Sequence, residues 1–254
     1  MTISITRHLG NVALLSLLCG TFAACTTPSL PQAATDNVID KRFVAPPVGE
    51  LIVLLPSTKQ VGIESGGRHL RAQLIAQLTS AGYRVMPLDE ARHQELWIQV
   101  VTEVGGLYNP QTGTPIPKAR ASAYSKLAQR VCADMKCALL VQAELVRRQA
   151  KLSGDSAEWD GQRSRVKTIG DFGRNYTFSG STPSISVEVR AVMANGDMGF
   201  RTHGGVALPY QSDVLKVQSV LRTDLFEDDR EIASGLQIAL APLIPRQTQA
   251  EEAR

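Results

Sequence analysis

Four groups of residues have the types and spacing to do chemistry. Cys25 stands after Arg7, an apolar run from Val12 to Leu18, and Phe22-Ala23-Ala24. A charged start, an apolar run of about seven or more residues and small residues before a cut describe a secretory signal, not a spanning helix. A thiol placed there reads as a lipid-attachment site. The plainer alternative is a signal cut nearby with Cys25 an ordinary thiol. Cys19 competes poorly, because Leu18 is too large for the small-residue position. Ser65-Gly66-Gly67-Arg68 is the second group. Backbone N–H groups at a helix start, with an arginine beside them, hold a phosphate or carboxylate. Otherwise this is a flexible helix start with Ser65 near the cap. No Lys-Ser/Thr follows, so nucleotide binding is unsupported.

The third group is Cys132 and Cys137, either a disulfide or two buried thiols. A bond there closes a small loop and contributes about 2 kcal/mol in the chain-entropy model. Without further Cys or His ligands the pair makes no metal site. The fourth lies between Arg148 and Pro183, a charged stretch without steady period, read as a long loop that is functional or mobile. Arg147, Arg148, Lys151, Arg163, Arg165 and Lys167 outnumber Asp155, Glu158 and Asp160, with Trp159, Phe172, Tyr176 and Phe178 interleaved. Exposed, such a surface meets anionic lipid, lipopolysaccharide, peptidoglycan or an acidic partner. The alternative is a solvated loop whose aromatics tuck back. On the first reading, reversing Arg163, Arg165 and Lys167 abolishes a salt-sensitive association.

Catalytic patterns are missing: no GxSxG, HExxH, Walker sequence or GxGxxG occurs. His8 leaves with the signal, and His69, His93 and His203 lack ligand-like spacing, so each reads as a surface or packing residue. No catalytic residue, metal or cofactor is expected. A net charge of +3 over 254 residues is too small to imply nucleic acid.

The elements that position these groups follow from periodicity. Residues 1–24 are the signal, 25–48 a lipidated cysteine with a flexible tether, 49–244 one domain, and 245–254 a disordered tail. A tether of that length spans roughly 25 Å, and about 195 residues remain for a core. Glu50 to Leu55, ended by Pro56, reads as a strand buried on both faces. A helix follows from Ser65 to Ala81, with Leu70, Leu74, Ile75 and Leu78 inward and Gly82 as its stop. Tyr83 to Met86 completes a βαβ unit. A short helix over 88–93, a third strand over Leu96 to Val101, a loop over 105–117, a helix over 118–131 and a strand over Leu139 to Leu145 come next. Asn195-Gly196 then joins two extended runs, Ser184 to Ala191 and Phe200 to Leu208, as a hairpin. An amphipathic region over 213–243 breaks near Phe226. Its last helix has Glu227, Asp228, Asp229 and Glu231 at the start and Ile232, Leu236, Ala239 and Leu243 inward. The fold expected is α/β (α+β): a single mixed sheet with packed helices, a βαβ start and a late antiparallel hairpin.

The Ala23-Ala24-Cys25 ending resembles the bacterial lipobox, in which the cysteine sulfur carries diacylglycerol. Thr26 in place of Asp at the next position implies outer-membrane rather than inner-membrane placement. The domain resembles a group of periplasmic α/β lipoproteins: the curli-secretion lipoprotein, the lipoprotein activators of penicillin-binding proteins, and the TolB amino-terminal domain. The matching residues are Ile52-Val53-Leu54-Leu55-Pro56, Ala81-Gly82-Tyr83-Arg84-Val85, Ala138 through Glu144, and the hairpin where relatives carry "tGe" for Asn195-Gly196-Asp197. The resemblance implies a non-catalytic interaction, assembly or regulatory module in the periplasm, lipid-anchored at the outer membrane, with an envelope protein or itself as partner. The rivals are a small-ligand binder or hydrolase using the Gly66 helix start, and a ring-forming subunit. The transmembrane hairpins of the curli-type pore have no counterpart, since Asp155 to Arg174 is too charged for strands facing lipid.

Overall fold

Leu51–Leu54 (β2) is buried at all four residues, as a central strand with helices on both sides must be. The structure, a computed structural model, describes residues 36–57, 62–116, 118–170 and 176–244. The predicted signal, Cys25, the first part of the tether and the tail 245–254 lie outside the described residues. β2 is followed by α1 (Gly66–Ser80) and by β3 (Arg84–Pro87), which pairs with it in parallel, the βαβ unit expected. Gly82 stops α1 at φ +88°, with its N–H on the Thr79 carbonyl and that of Tyr83 on Leu78.

The next element departs from expectation. Residues 96–101 are not a strand but the middle of α2 (Glu90–Glu103), started by Asp89, whose carboxylate accepts the Arg92 N–H. Leu96 and Val100 are buried one helical turn apart, while Ile98 is exposed. Alternation over five residues fits both periods; the Asp89 cap and the lack of a breaker before Gly105 decide for helix. α3 (Ala119–Met135) follows and ends on a left-handed Lys136. A disulfide joins Cys132 near its end to Cys137, just before the next strand.

β4 (Leu139–Gly154) and β8 (Phe178–Met193) are each 16 residues long and pair antiparallel without a break, from Leu139↔Met193 to Gly154↔Phe178. The expected loop between 148 and 183 is therefore mostly sheet. Gly154, Gly180 and Pro183 mask the strand pattern there, and no helix layer imposes apolar alternation on the outer half. Between the two strands come β5 (Ser156–Trp159) and β6 (Gln162–Arg165), turned at Asp160-Gly161 with both φ values positive, then β7 (Thr168–Ile169).

The hairpin at Asn195-Gly196 leads into β9 (Met198–Ala207). Only Gly196 is left-handed, and its N–H returns to the Met193 carbonyl. β10 (Tyr210–Asp213), β11 (Gln218–Leu221) and α4 (Asp229–Ala239) complete the chain. Part of the stretch read as a tether is folded. Val38–Ile39 (β1) pairs with β9, and the Phe43 ring packs edge-on against Phe200 at 5.1 Å.

The main sheet has the order β1-β9-β8-β4-β2-β3, with β5 and β6 attached to β4; β11-β10-β7 form a second, three-stranded sheet. α1 and α4 cover one face over Ile52, Val141, Val187, Val189 and Phe200, and α2 and α3 cover part of the other over Val53, Leu140 and Val192. α4 lies so close to β9 that a Cβ on Gly204 would collide with the Gly235 carbonyl. No helix among the described residues is long and apolar enough to cross a membrane.

Reducing Cys132–Cys137 is expected to lower unfolding stability by about 2 kcal/mol. Urea unfolding with and without dithiothreitol checks this, and coincident midpoints refute it.

Candidate functional site

Paired residues in neighbouring strands share a sheet face, so the ladder identifies a column of polar side chains. Gln142 opposes Arg190, Glu144 opposes Glu188, and Arg148 opposes Ser184. Glu188 in turn opposes His203, and Arg190 opposes Arg201. This is the face that α2 and α3 cover at one end only. There the Tyr124 hydroxyl donates to Gln142 Oε1 at 2.8 Å, and the Arg190 guanidinium lies 4.8 Å above the Tyr124 ring.

Farther along, the chain's own segments cover the column. His203 is buried, with Nε2 3.1 Å from Glu188 Oε2 and Nδ1 3.0 Å from Asn37 Oδ1. Asn37 Oδ1 also accepts the His203 N–H, and Arg190 donates to the other Glu188 oxygen at 2.7 Å. Burial pushes the Glu188 pKa up, but the His203 hydrogen bond and the charges of Arg190, His203 and Arg201 outweigh it. The net direction is down.

Arg148 is the junction of the column. Its Nε donates to Asp160 Oδ2 at 3.2 Å and its Nη1 to Asp36 Oδ2 at 3.0 Å, while Ser186 Oγ donates to the same Asp160 oxygen at 2.6 Å. The Arg148 and Asp160 side chains are 8% and 1% exposed. Arg148 Nη2, Asp160 Oδ1 and Ser184 Oγ are buried without a protein partner among the described residues. Together they offer a donor, an acceptor and a hydroxyl to a small polar molecule such as water.

Chemically this is a clasp. Both His203 nitrogens face protein oxygens, so the ring presents no free base to a substrate, and Ser186 is committed to Asp160 rather than to an imidazole. Among the described residues, no three His, Cys, Asp or Glu side chains gather as a metal site. A separate groove of about 820 Å³ lies between α2 and α3 over Leu88, Leu96 and Met135. Its two arginines, Arg92 and Arg130, are paired with Glu95 and Glu103.

The residues singled out from sequence fare differently. Cys25 lies outside the described residues. Ser65, Gly66, Gly67 and Arg68 stand together at the start of α1. The Gly66 and Gly67 N–H groups bond to the Ile63 and Glu64 carbonyls, and Ser65 makes no side-chain cap. A Cβ on Gly66 would press on Leu145 and Phe226, so this glycine serves packing. Glu64 already brings a carboxylate there, its pKa lowered by backbone N–H groups including that of Gly62.

Arg148 and Trp159 are not surface residues. Arg148 is drawn inward by its two carboxylates; Trp159 packs with Ala150, Ala157 and Leu208 while its Nε1 donates to the Ile185 carbonyl at 3.1 Å. Lys151, Arg163, Arg165 and Lys167 are exposed. The last three stand against Glu158, Asp155 and Asp224 at 3.4, 3.4 and 2.6 Å, so the patch is largely neutralised. Sequence reading missed Asn37, Asp160, Glu188 and His203 as one group. The Asp160-Gly161 dipeptide was the available signal, marking a hairpin that bends Asp160 back.

No protein-family model matches the sequence, and no curated protein does either. Among solved structures, the chain is similar to the PelC dodecamer from Paraburkholderia phytofirmans, with 12% identity and TM-score 0.40 over 83% of this chain and 96% of that one. A dodecamer of a PelC point variant in a second crystal form gives 11% and 0.39 over 82% and 96%. Lipoprotein GNA1162 from Neisseria meningitidis is similar at 15% identity and TM-score 0.30, over 63% of this chain and 82% of that one.

Two outcomes test the clasp. Arg148→Ala strands the buried Asp160 charge and is expected to cost about 3 kcal/mol, read as a lower urea midpoint. An unchanged midpoint removes Arg148 from its role. Glu188 has a folded pKa below its ordinary 4.5, so the unfolded chain takes the proton first. Its stabilisation is present above 4.5 and is lost as pH falls through the folded value. Thermal unfolding against pH should therefore fall less steeply below 4.5 in Glu188→Gln than in the wild type.

Proposed function

We propose that this chain is an envelope lipoprotein, acylated at Cys25 and held at the outer membrane facing the periplasm. Its α/β domain serves there as a non-catalytic module for protein interaction in assembly or regulation. The observation that carries the reading is the arm. β4 and β8 continue well past the helix layers, and with β5 and β6 they enclose a satellite core of Ala150, Ala157, Trp159 and Leu208. A sheet extended beyond its own core, with Lys151, Glu158 and Arg163 alternating in sign across its three neighbouring strands, is built for polar contact with another protein. The Cys132–Cys137 disulfide supports an oxidising compartment, and the lipobox-like ending at Cys25 supports the anchor. The PelC and Neisseria likenesses are not what carries this reading.

Photo-crosslinkers placed in cells at Lys151 and Arg163, with Arg68 as the distant control, test the module. Capture of one discrete envelope protein from the arm and not from Arg68 is the expected result. Capture of the chain alone favours a ring-forming subunit, and equal capture from all three positions refutes the arm as the contact. Palmitate incorporation lost in Cys25→Ala checks the anchor.

A further inference from the structure

Two acceptors converge on the buried imidazole of His203. Asn37 faces its Nδ1 with an oxygen and not a nitrogen, because the same atom accepts the His203 backbone N–H at 2.9 Å. An amide oxygen has no proton to give, so the hydrogen in this contact comes from Nδ1. On the other side Nε2 meets Glu188 Oε2, and Arg190 holds the second oxygen of that carboxylate. Burial opposes ionisation of Glu188, but the His203 hydrogen bond and the charges of Arg190, His203 and Arg201 outweigh it. An ionised carboxylate has no proton to give either, so Nε2 donates as well. A neutral imidazole carries one N–H and one lone pair, and either tautomer would set that lone pair against an oxygen.

The charges around the ring agree with two protons. β8 contributes Glu188 and Arg190, β9 Arg201, β4 Glu144 and Arg148, the segment before β1 Asp36, and the β5–β6 turn Asp160. Three guanidinium groups thus stand among four carboxylates, and a charged imidazole brings the column to balance. Buried charge is tolerated where it is balanced and hydrogen-bonded.

What the ring holds is the segment Asp36 to Ile39. β1 gives it only two residues of pairing with β9, and Val38 and Ile39 are 49% and 53% exposed, so apolar burial contributes little there. Polar contacts do the holding: Asn37 on His203, the Asp36 carboxylate on Arg148, and the Asp36 carbonyl on Arg201 Nη2 at 3.4 Å. Apolar attachment begins farther on, where Phe43 packs against Phe200.

We propose that His203 is a proton-operated catch: with a proton on each nitrogen it fastens residues 36–39 to the sheet, and loss of one proton to water releases them. The proton that remains stays on Nε2, because a charged acceptor makes the stronger hydrogen bond. The Nδ1 lone pair then faces Asn37 Oδ1, and the repulsion falls on the contact that holds the segment. The catch is therefore closed at low pH and opens as pH rises. Opening bares the His203 ring, Arg148 and the His203 N–H on the edge of β9. The inference is independent of the anchor and of the arm as a contact surface.

Nuclear magnetic resonance on the full chain in detergent micelles tests this, with pH raised from about 5 to about 9, a span wider than the ordinary imidazole transition. The nitrogen shifts of the His203 ring report its protons, and the backbone shifts of Asn37 and Val38 report whether the segment is docked. The expected result is two protonated ring nitrogens with a docked segment at the low end. As pH rises, the ring nitrogens split and the docked shifts vanish in one transition. In Glu188→Gln, which lacks the facing carboxylate, both changes move together to lower pH. In His203→Gln the segment keeps one state over the whole span. A docked segment over a singly protonated ring overturns the inference. So does a segment that stays docked after the ring loses its proton, or a ring and segment that never change. Release over the same span in His203→Gln places the control elsewhere and overturns it too. If that variant does not fold, the coupled shift in Glu188→Gln still decides, and movement of one change without the other refutes the catch.

Discussion

The unbroken β4–β8 ladder is the constraint on which the rest of the molecule depends. One register over 16 residues decides, for every side chain in both strands, which face it joins. A slip of one residue would send Val141, Ala143, Val187 and Val189 to the polar side and bring Glu144, Glu188 and Arg190 into the apolar core. The hydrophobic cost of that exchange holds the register. The parallel βαβ start adds to one side of the ladder and β9 to the other.

The two faces are then stabilised by different physics. Under α1 and α4 the face is dry and apolar, and close approach is obtained by removing side chains at Gly204 and Gly235. The opposite face carries charge, and buried charge is tolerated only when it is paired and hydrogen-bonded. The partners come from remote parts of the chain: Asp36 and Asn37 from the amino-terminal segment and Asp160 from the β5–β6 turn. A requirement of electrostatics thereby ties the start of the domain and the base of the arm to one arginine. Val38 and Ile39, within the stretch read as a tether, are part of the main sheet as β1.

Two parts lie outside the two main cores. The arm offers mixed charge, the β10–β11 hairpin offers apolar side chains, and they rise from the same end of the sheet.

The sequence by itself determined the elements whose apolar period is long or whose ends carry a stereochemical marker. The buried run at Leu51–Leu54, the helix ended by Gly82, the hairpin at Asn195-Gly196 and the acid-capped last helix were legible because local sterics and amphipathicity suffice to specify them. So was the pair Cys132 and Cys137, though not whether it was joined. Short or polar segments were not legible. Leu96 to Val101 satisfied strand and helix periods equally, and the outer halves of β4 and β8 lack apolar alternation because no helix covers them. The tertiary structure alone decided that Arg148 and Trp159 turn inward, that Gly66 is a packing residue, and that Asn37, Asp160, Glu188 and His203 form one network. The reason is physical: a polar residue's place depends on partners far away in sequence. Those partners are assigned only when the ladder sets which residues face each other.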